Sequence, residues 1–113
     1  MKSKILALSK NEDFKNLLQK KKASNKYVTI FYGILDNKNN EKLNISFVTK
    51  KKLGNAIKRN KIKRRLKNII NEAIKNMTIK CNYSYLVIAK PTMLNKEYKN
   101  IKETLFQSLK EIR

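Results

Sequence analysis

Apolar residues Ile62, Leu66, Ile69, Ile70 and Ala73 recur at i, i+4, i+7, i+8 and i+11. This is the period of a helix that buries one stripe against a core. Asn60, Lys61, Arg64, Lys67 and Asn68 fall on its opposite face, with Lys58, Lys63 and Arg65 on the flanks. Gly54-Asn55 breaks the chain just before it, since Gly accepts positive φ and Asn is a favoured N-cap.

Upstream, Ser9 to Glu12 has capping-box spacing with Asn11 as an alternative cap, and Glu12 and Asp13 suit a first turn. Phe14, Leu17 and Leu18 then give a short helical face that frays into Gln19-Lys20-Lys21-Lys22. Tyr27 to Leu35 reads as a strand, with Tyr27, Thr29 and Phe31 on one face and Val28, Ile30 and Tyr32 on the other. A polar turn from Asp36 to Asn40 predicts a hairpin into Leu43 to Thr49. After the amphipathic helix, Asn71 to Asn82 reads as a polar connection. Tyr83 to Ala89 is the strongest strand, apolar enough for a central position, and Pro91 ends it. Asn95 is placed to cap a last helix with Glu97 in its first turn and Tyr98, Ile101, Leu105, Leu109 and Ile112 along one face. The order is α-β-β-α-β-α, an α+β sandwich of helices against a small sheet. The crossover through the central helix is right-handed by the general rule.

Charge changes this picture most. The 113 residues carry 28 Lys and Arg against 8 acids, a formal net charge of +20. Such self-repulsion destabilises a free protein and polyanions relieve it. From Lys50 to Lys67, ten of eighteen residues are basic, and no acid occurs between Lys42 and Asn71. Basic runs of this density suit phosphate, because each neutralised phosphate releases condensed counterions. The length predicts one RNA-binding domain over residues 1–113, with residues 1–8 as a basic N-terminal arm. A lone Cys81 excludes an internal disulfide, and there is no signal peptide or long apolar run, so a cytoplasmic protein with no membrane contact is expected.

The side chains offer little unaided catalysis. The chain has no histidine, which excludes imidazole acid–base chemistry. Glu12, Asp13, Asp36, Glu41, Glu72, Glu97, Glu103 and Glu111 are scattered, whereas a two-metal nuclease wants convergent carboxylates. Gly33 and Gly54 are the only glycines, so phosphate-cradling glycine loops are absent. Binding is what this set supports. Exposed aromatics on a sheet face stack unpaired bases, although Phe14 and the strand aromatics equally suit a core.

The series Lys-Lys-Leu-Gly-Asn-Ala, then Arg59-Asn60-Lys61-Ile62-Lys63-Arg64-Arg65-Leu66, resembles the signature of the bacterial ribonuclease P protein component. That family's core reads Arg-Asn-Arg-x-Lys-Arg after a Lys-Lys-x-Gly-Asn-Ala-like approach. Asn11-Glu12-Asp13-Phe14 and the chain length fit as well. Here Lys61 stands where the family has a second Arg, which replaces a bidentate fork with a point charge. Lys50, Lys51 and Lys52 stand where it has two lysines, and Leu18 where relatives can carry an aromatic.

The resemblance implies a protein that assists a catalytic RNA subunit in removing the 5′ leader of precursor tRNA, with Mg2+ bound mainly by the RNA and no obligate protein partner. It implies that Arg59, Asn60, Lys61, Arg64 and Arg65 contact that RNA, with Lys51, Lys52 and Asn55 nearby. Phe14, Tyr27 and Phe31 become the candidates for a leader cleft, no protein residue is catalytic, and the crossover is left-handed against the general rule. The competing expectation is a structural RNA-binding protein such as a small ribosomal component. The ordered Gly-Asn-Ala and Arg-Asn-Lys series argues against it, because basicity alone does not require that order.

Overall fold

Tyr85, Leu86 and Val87 are at most 2% exposed, and the sheet is built around the strand that contains them. The structure, a computed structural model, describes residues 5–6, 8, 11–35, 43–76, 79, 83–95 and 97–112. In chain order the elements are β1 (Ile5–Leu6), α1 (Asn11–Leu17), β2 (Lys21–Ser24), β3 (Val28–Gly33), β4 (Leu43–Val48), α2 (Ala56–Asn76), β5 (Ser84–Ala89) and α3 (Tyr98–Glu111). Short 3-10 turns at Lys51–Leu53 and Pro91–Asn95 lead into α2 and follow β5. The sheet order is β1-β4-β5-β3-β2. β5 runs parallel to β4 and antiparallel to β3, while β1 pairs parallel with β4 and β2 antiparallel with β3.

The α+β class and the alternation of helices with a small sheet agree with the sequence pattern; four local expectations do not. First, β3 and β4 form no hairpin, because β5 lies between them. An apolar strand pairs all its backbone groups only with a neighbour on each edge, so the most buried strand takes the centre. The predicted turn at 36–40 lies outside the described residues. Second, α1 stops at Leu17, closed by Gln19 N–H to Asn16 O (3.2 Å) and Lys20 N–H to Leu17 O (3.0 Å). Lys21 and Lys22 belong instead to the edge strand β2, where lysine also discourages pairing with other chains. Third, α2 continues through Asn76, into the segment read as a connection, with Ile74 packed against the core beyond the stripe's last residue, Ala73. Fourth, Glu97 occupies the N-cap of α3 without a side-chain cap bond, and Asn95 ends the preceding turn. Within the basic N-terminal segment, Ile5–Leu6 adds an edge strand and Leu8 N–H donates to Ser46 Oγ at 2.8 Å. Ser9, Met77, Thr78 and Cys81 lie outside the described residues.

Two apolar clusters flank the sheet. Val28, Ile30, Ile45, Tyr85 and Val87 meet Ile62, Leu66, Ile69, Ile70 and Ala73 of α2 and Ile101, Leu105 and Leu109 of α3. The other face carries a smaller cluster of Leu8, Leu17, Leu35 and Leu86, with Phe14, Phe31, Val48 and Ile88 packed against it.

A polar clamp joins α2 to α3. Lys102 Nζ lies 2.7 Å from Glu72 Oε2, and the Tyr98 hydroxyl donates to Glu72 Oε1 at 3.4 Å. The Lys102 hydrogen bond is the main cause holding Glu72 below the ordinary carboxylate value, and the same bond raises Lys102. Tyr98 is raised mainly by burial. By linkage, the Glu72 contribution is complete above pH 4.5 and fades as pH falls through its lowered value; that of Lys102 is complete below pH 10.5 and fades as pH rises past its raised value. Lys102→Met is therefore expected to lower the melting temperature slightly between those limits and not in strong acid. A deficit of equal size at pH 3 would mean that lost packing, not the pair, is responsible.

Candidate nucleic-acid interface

The interface is built around the entrance to α2. Buried Leu53 (1% exposed) anchors the Lys51–Leu53 turn, leaving Lys51 and Lys52 in solvent. Gly54 then takes φ 124°, a left-handed conformation that favours glycine, and a Cβ there would in addition have to push aside the flexible Lys58 side chain, whose Cδ lies 2.9 Å away. Asn55 is the N-cap: its Oδ1 accepts the Lys58 N–H at 3.0 Å, and its carbonyl accepts from Arg59 N–H at 3.0 Å. This cap fixes the phase of the helix, and the phase decides which side chains are wet.

The split between faces follows the sequence period. All five stripe residues are buried, at no more than 3% exposure, whereas Asn60, Lys61, Lys63, Arg64, Lys67 and Asn68 are exposed. Arg59 and Arg65 are half-buried at its margins. Among the described residues, no carboxylate forms an ion pair with these cations. The first turn of α2 also contains no acid, although the positive end of a helix dipole favours one. Unpaired cations there repel one another and the dipole, so this surface is complementary to phosphate. Arg59 adds a specific feature: its Nε is shielded from solvent and has no hydrogen-bond acceptor among the described residues. A buried donor left unpaired is costly, so an acceptor that reached this Nε would be favoured. Exposed Ile57 (79%) lies between these groups and offers an apolar contact that charge-based reasoning passed over.

The second part of the interface lies on the other face of the sheet. Phe14 of α1 and Phe31 of β3 are both half-buried in the Leu17 cluster, so the structure brings these two candidates together. Tyr27 is not with them. It precedes β3, is 4% exposed, and packs in the helix-side core with Val28. The period-two expectation fails there because Asn25 Oδ1 accepts from both Tyr27 and Val28 N–H groups (2.8 and 2.9 Å), forming a turn where alternation has no meaning.

Register extends this face beyond the expected residues. Phe31 pairs with Leu86 on one side and Lys22 on the other, and Thr29 pairs with Ile88, which pairs with Val48. Directly paired residues share a face, so Lys22 flanks Phe31, and half-buried Val48 and Ile88 continue the apolar floor. The seven residues of α1 span about 10 Å, against about 20 Å for the six-residue β5, so the helix covers only part of this floor. Lys22 was legible in sequence only as one lysine of a run. Its place depends on β2 being a strand.

Among the described residues, no three Cys, Asp or Glu side chains gather as a metal site, and no helix is long and apolar enough to cross a membrane. The Ribonuclease P family model matches residues 3–113. The ribonuclease P protein component of Carboxydothermus hydrogenoformans is 32% identical over 112 residues, covering 96% of this chain and 91% of that one. That of Alkaliphilus oremlandii is 31% identical over 110 residues, with the same coverage. In three dimensions the RNase P protein of Thermotoga maritima superposes with a TM-score of 0.80 at 22% identity, covering 96% of this chain and 98% of that one. The Staphylococcus aureus RNase P protein gives 0.78 at 24% identity, covering 92% of each. The capped helix with its basic wet face, the sheet behind it and a family match over almost the whole chain converge, and the protein belongs to the ribonuclease P protein component family.

Proposed function

We propose that the chain, a member of that family, serves as the protein subunit of an RNA-based endoribonuclease that acts in tRNA processing alongside an RNA subunit. In this reading its two faces divide the work. Arg59, Asn60, Lys61, Arg64 and Arg65, with Lys51, Lys52 and Asn55 at the helix entrance, hold the RNA subunit. Phe14 and Phe31, flanked by Lys22, hold the single-stranded 5′ leader of precursor tRNA. Tyr27 supports the turn behind β3 and is not counted as a leader contact. The observation that carries this reading is that α2 buries its apolar stripe while Lys61, Lys63, Arg64 and Lys67 stay in solvent with no ion-pair partner among the described residues.

The division explains how a chain without histidine or clustered acids serves a hydrolytic reaction. The RNA supplies the reacting site and carries the Mg2+. The protein lowers the electrostatic cost of bringing polyanions together and positions the leader. We read residues 1–113 as one such binding domain, working in the cytoplasm where precursor tRNA is made.

Cleavage of precursor tRNA at low Mg2+ tests this directly, with protein alone, a bacterial ribonuclease P RNA alone, and both. The expected result is cleavage at the mature 5′ end that needs the RNA and is strongly enhanced by the protein. Tight RNA binding without enhancement would sink the proposal. For the cleft, Phe14→Ala or Phe31→Ala is expected to weaken holoenzyme binding of precursor tRNA by about 1–3 kcal/mol, the worth of one stacked base. Mature tRNA, which has no leader, should bind unchanged. An equal loss for both ligands would remove these residues from the leader site.

A further inference from the structure

A second aromatic feature lies around the end of α1, away from Phe14 and Phe31. The Tyr32 and Tyr83 rings are 5.8 Å apart and tilted by 40°, and Tyr83 meets buried Tyr85 edge-on at 6.3 Å. These rings border a depression of about 550 Å3 whose other walls include Lys20, Lys21 and exposed Ile34. Gly33 lies in its lining, and a Cβ there would meet Lys20 Cγ at 2.8 Å, so the Lys20 stem rests directly across the glycine. Small size at position 33 lets a cationic side chain lie beside the rings.

The chemistry is that of a nucleotide site. Among the described residues its lining contains no acid, Lys20 and Lys21 supply the cationic groups that a phosphate would need, and half-buried Tyr32 and Tyr83 supply the rings that a base would need. Its volume falls within the ordinary range for small-molecule pockets. A second, smaller depression of about 240 Å3 shares Lys20 and Ile34 with it and reaches Leu35. Leu35 belongs to the same cluster as Phe14 and Phe31. The smaller depression thus touches that cluster through Leu35 and the lining of the tyrosine pocket through Lys20 and Ile34, while the tyrosine rings themselves pack against the helix-side core.

We propose that the Tyr32–Tyr83 pocket, with Lys20 and Lys21, is a distal subsite for one nucleotide of a long single-stranded leader that has passed through the cleft. This rests on the cleft reading above. Stacking one base and pairing its phosphate adds affinity only for leaders long enough to reach it, so the subsite discriminates among precursors by leader length.

The test uses the reconstituted holoenzyme and two precursor tRNAs, one whose leader just fills the cleft and one extended by about ten nucleotides, within the reach of a single strand-binding groove. Lys20 is exposed, so Lys20→Ser serves as the variant least able to disturb folding; Tyr83→Leu keeps apolar bulk and is used with its melting temperature measured. Each is expected to weaken the long-leader substrate, the tyrosine variant by roughly tenfold, and to leave the short one unchanged. Equal weakening of both substrates, or of neither, would overturn the subsite. Loss of affinity for the RNA subunit itself would also overturn it, by assigning the pocket to that RNA. If Phe14→Ala proves neutral while the pocket variants keep their length dependence, the cleft assignment fails and the subsite stands.

Discussion

Replacing Arg59 and Arg65 together with alanine is expected to weaken binding to the RNA subunit by a few kcal/mol and to flatten its salt dependence. Each phosphate contact contributes close to one unit of the slope of log K against log salt, so the slope should fall by roughly two. Both residues sit half-buried at the margins of the basic face, where partial desolvation strengthens a charged hydrogen bond. Arg59 has the further drive of a shielded Nε that has no acceptor among the described residues. Measuring the binding constant across a salt series separates the possibilities. A weaker constant with an unchanged slope would mean contacts to bases or to the helix frame instead of phosphates. Arg64→Ala and Lys67→Ala, at exposed positions, provide the comparison, with a smaller loss each.

The largest effect on stability is expected from Leu66→Ala. Leu66 is fully buried in the middle of the stripe, between the cationic face of α2 and the sheet. Removing a buried leucine side chain to alanine costs about 2–5 kcal/mol, the upper part of that range where neighbours cannot collapse into the space. Total stability for a domain is about 5–15 kcal/mol, and the charge of +20 places this chain under self-repulsion. A large fraction of the free variant should unfold well below the melting point of the parent. RNA subunit that binds the folded form alone restores about 2.7 kcal/mol at a concentration one hundred times the dissociation constant, and any attraction to the unfolded cationic chain reduces this. Thermal melts with and without RNA check both parts. A variant that melts like the parent would show that the stripe is not what fixes α2.

Leu66 and Arg64 illustrate what could be read from the chain. The stripe through Leu66 and the basic face through Arg64 are both local patterns on a single helix, and both stand as expected. The Gly54-Asn55 entrance is equally local and adopts the anticipated positive φ and cap. Phe14 and Phe31 were legible as aromatics, yet only register placed them on one face and removed Tyr27 to the other. The ordered Arg-Asn-Lys series separated this family from generic basic proteins, and the matches over nearly the full length agree with it.

Composition and period by themselves pointed to a polyanion as partner, set the exposed cationic face of α2, and made the strand at Tyr85 apolar enough for a central position. Tertiary structure alone decided that β5 separates β3 from β4, that Lys21 and Lys22 extend an edge instead of a helix, and which sheet face α1 leaves partly open. The reason is physical. A helix closes its hydrogen bonds within itself, so its faces are written in residues three and four apart. A strand closes its bonds with a partner far along the chain, and backbone groups carry no label that names the partner. The choice falls to the burial of the whole sheet.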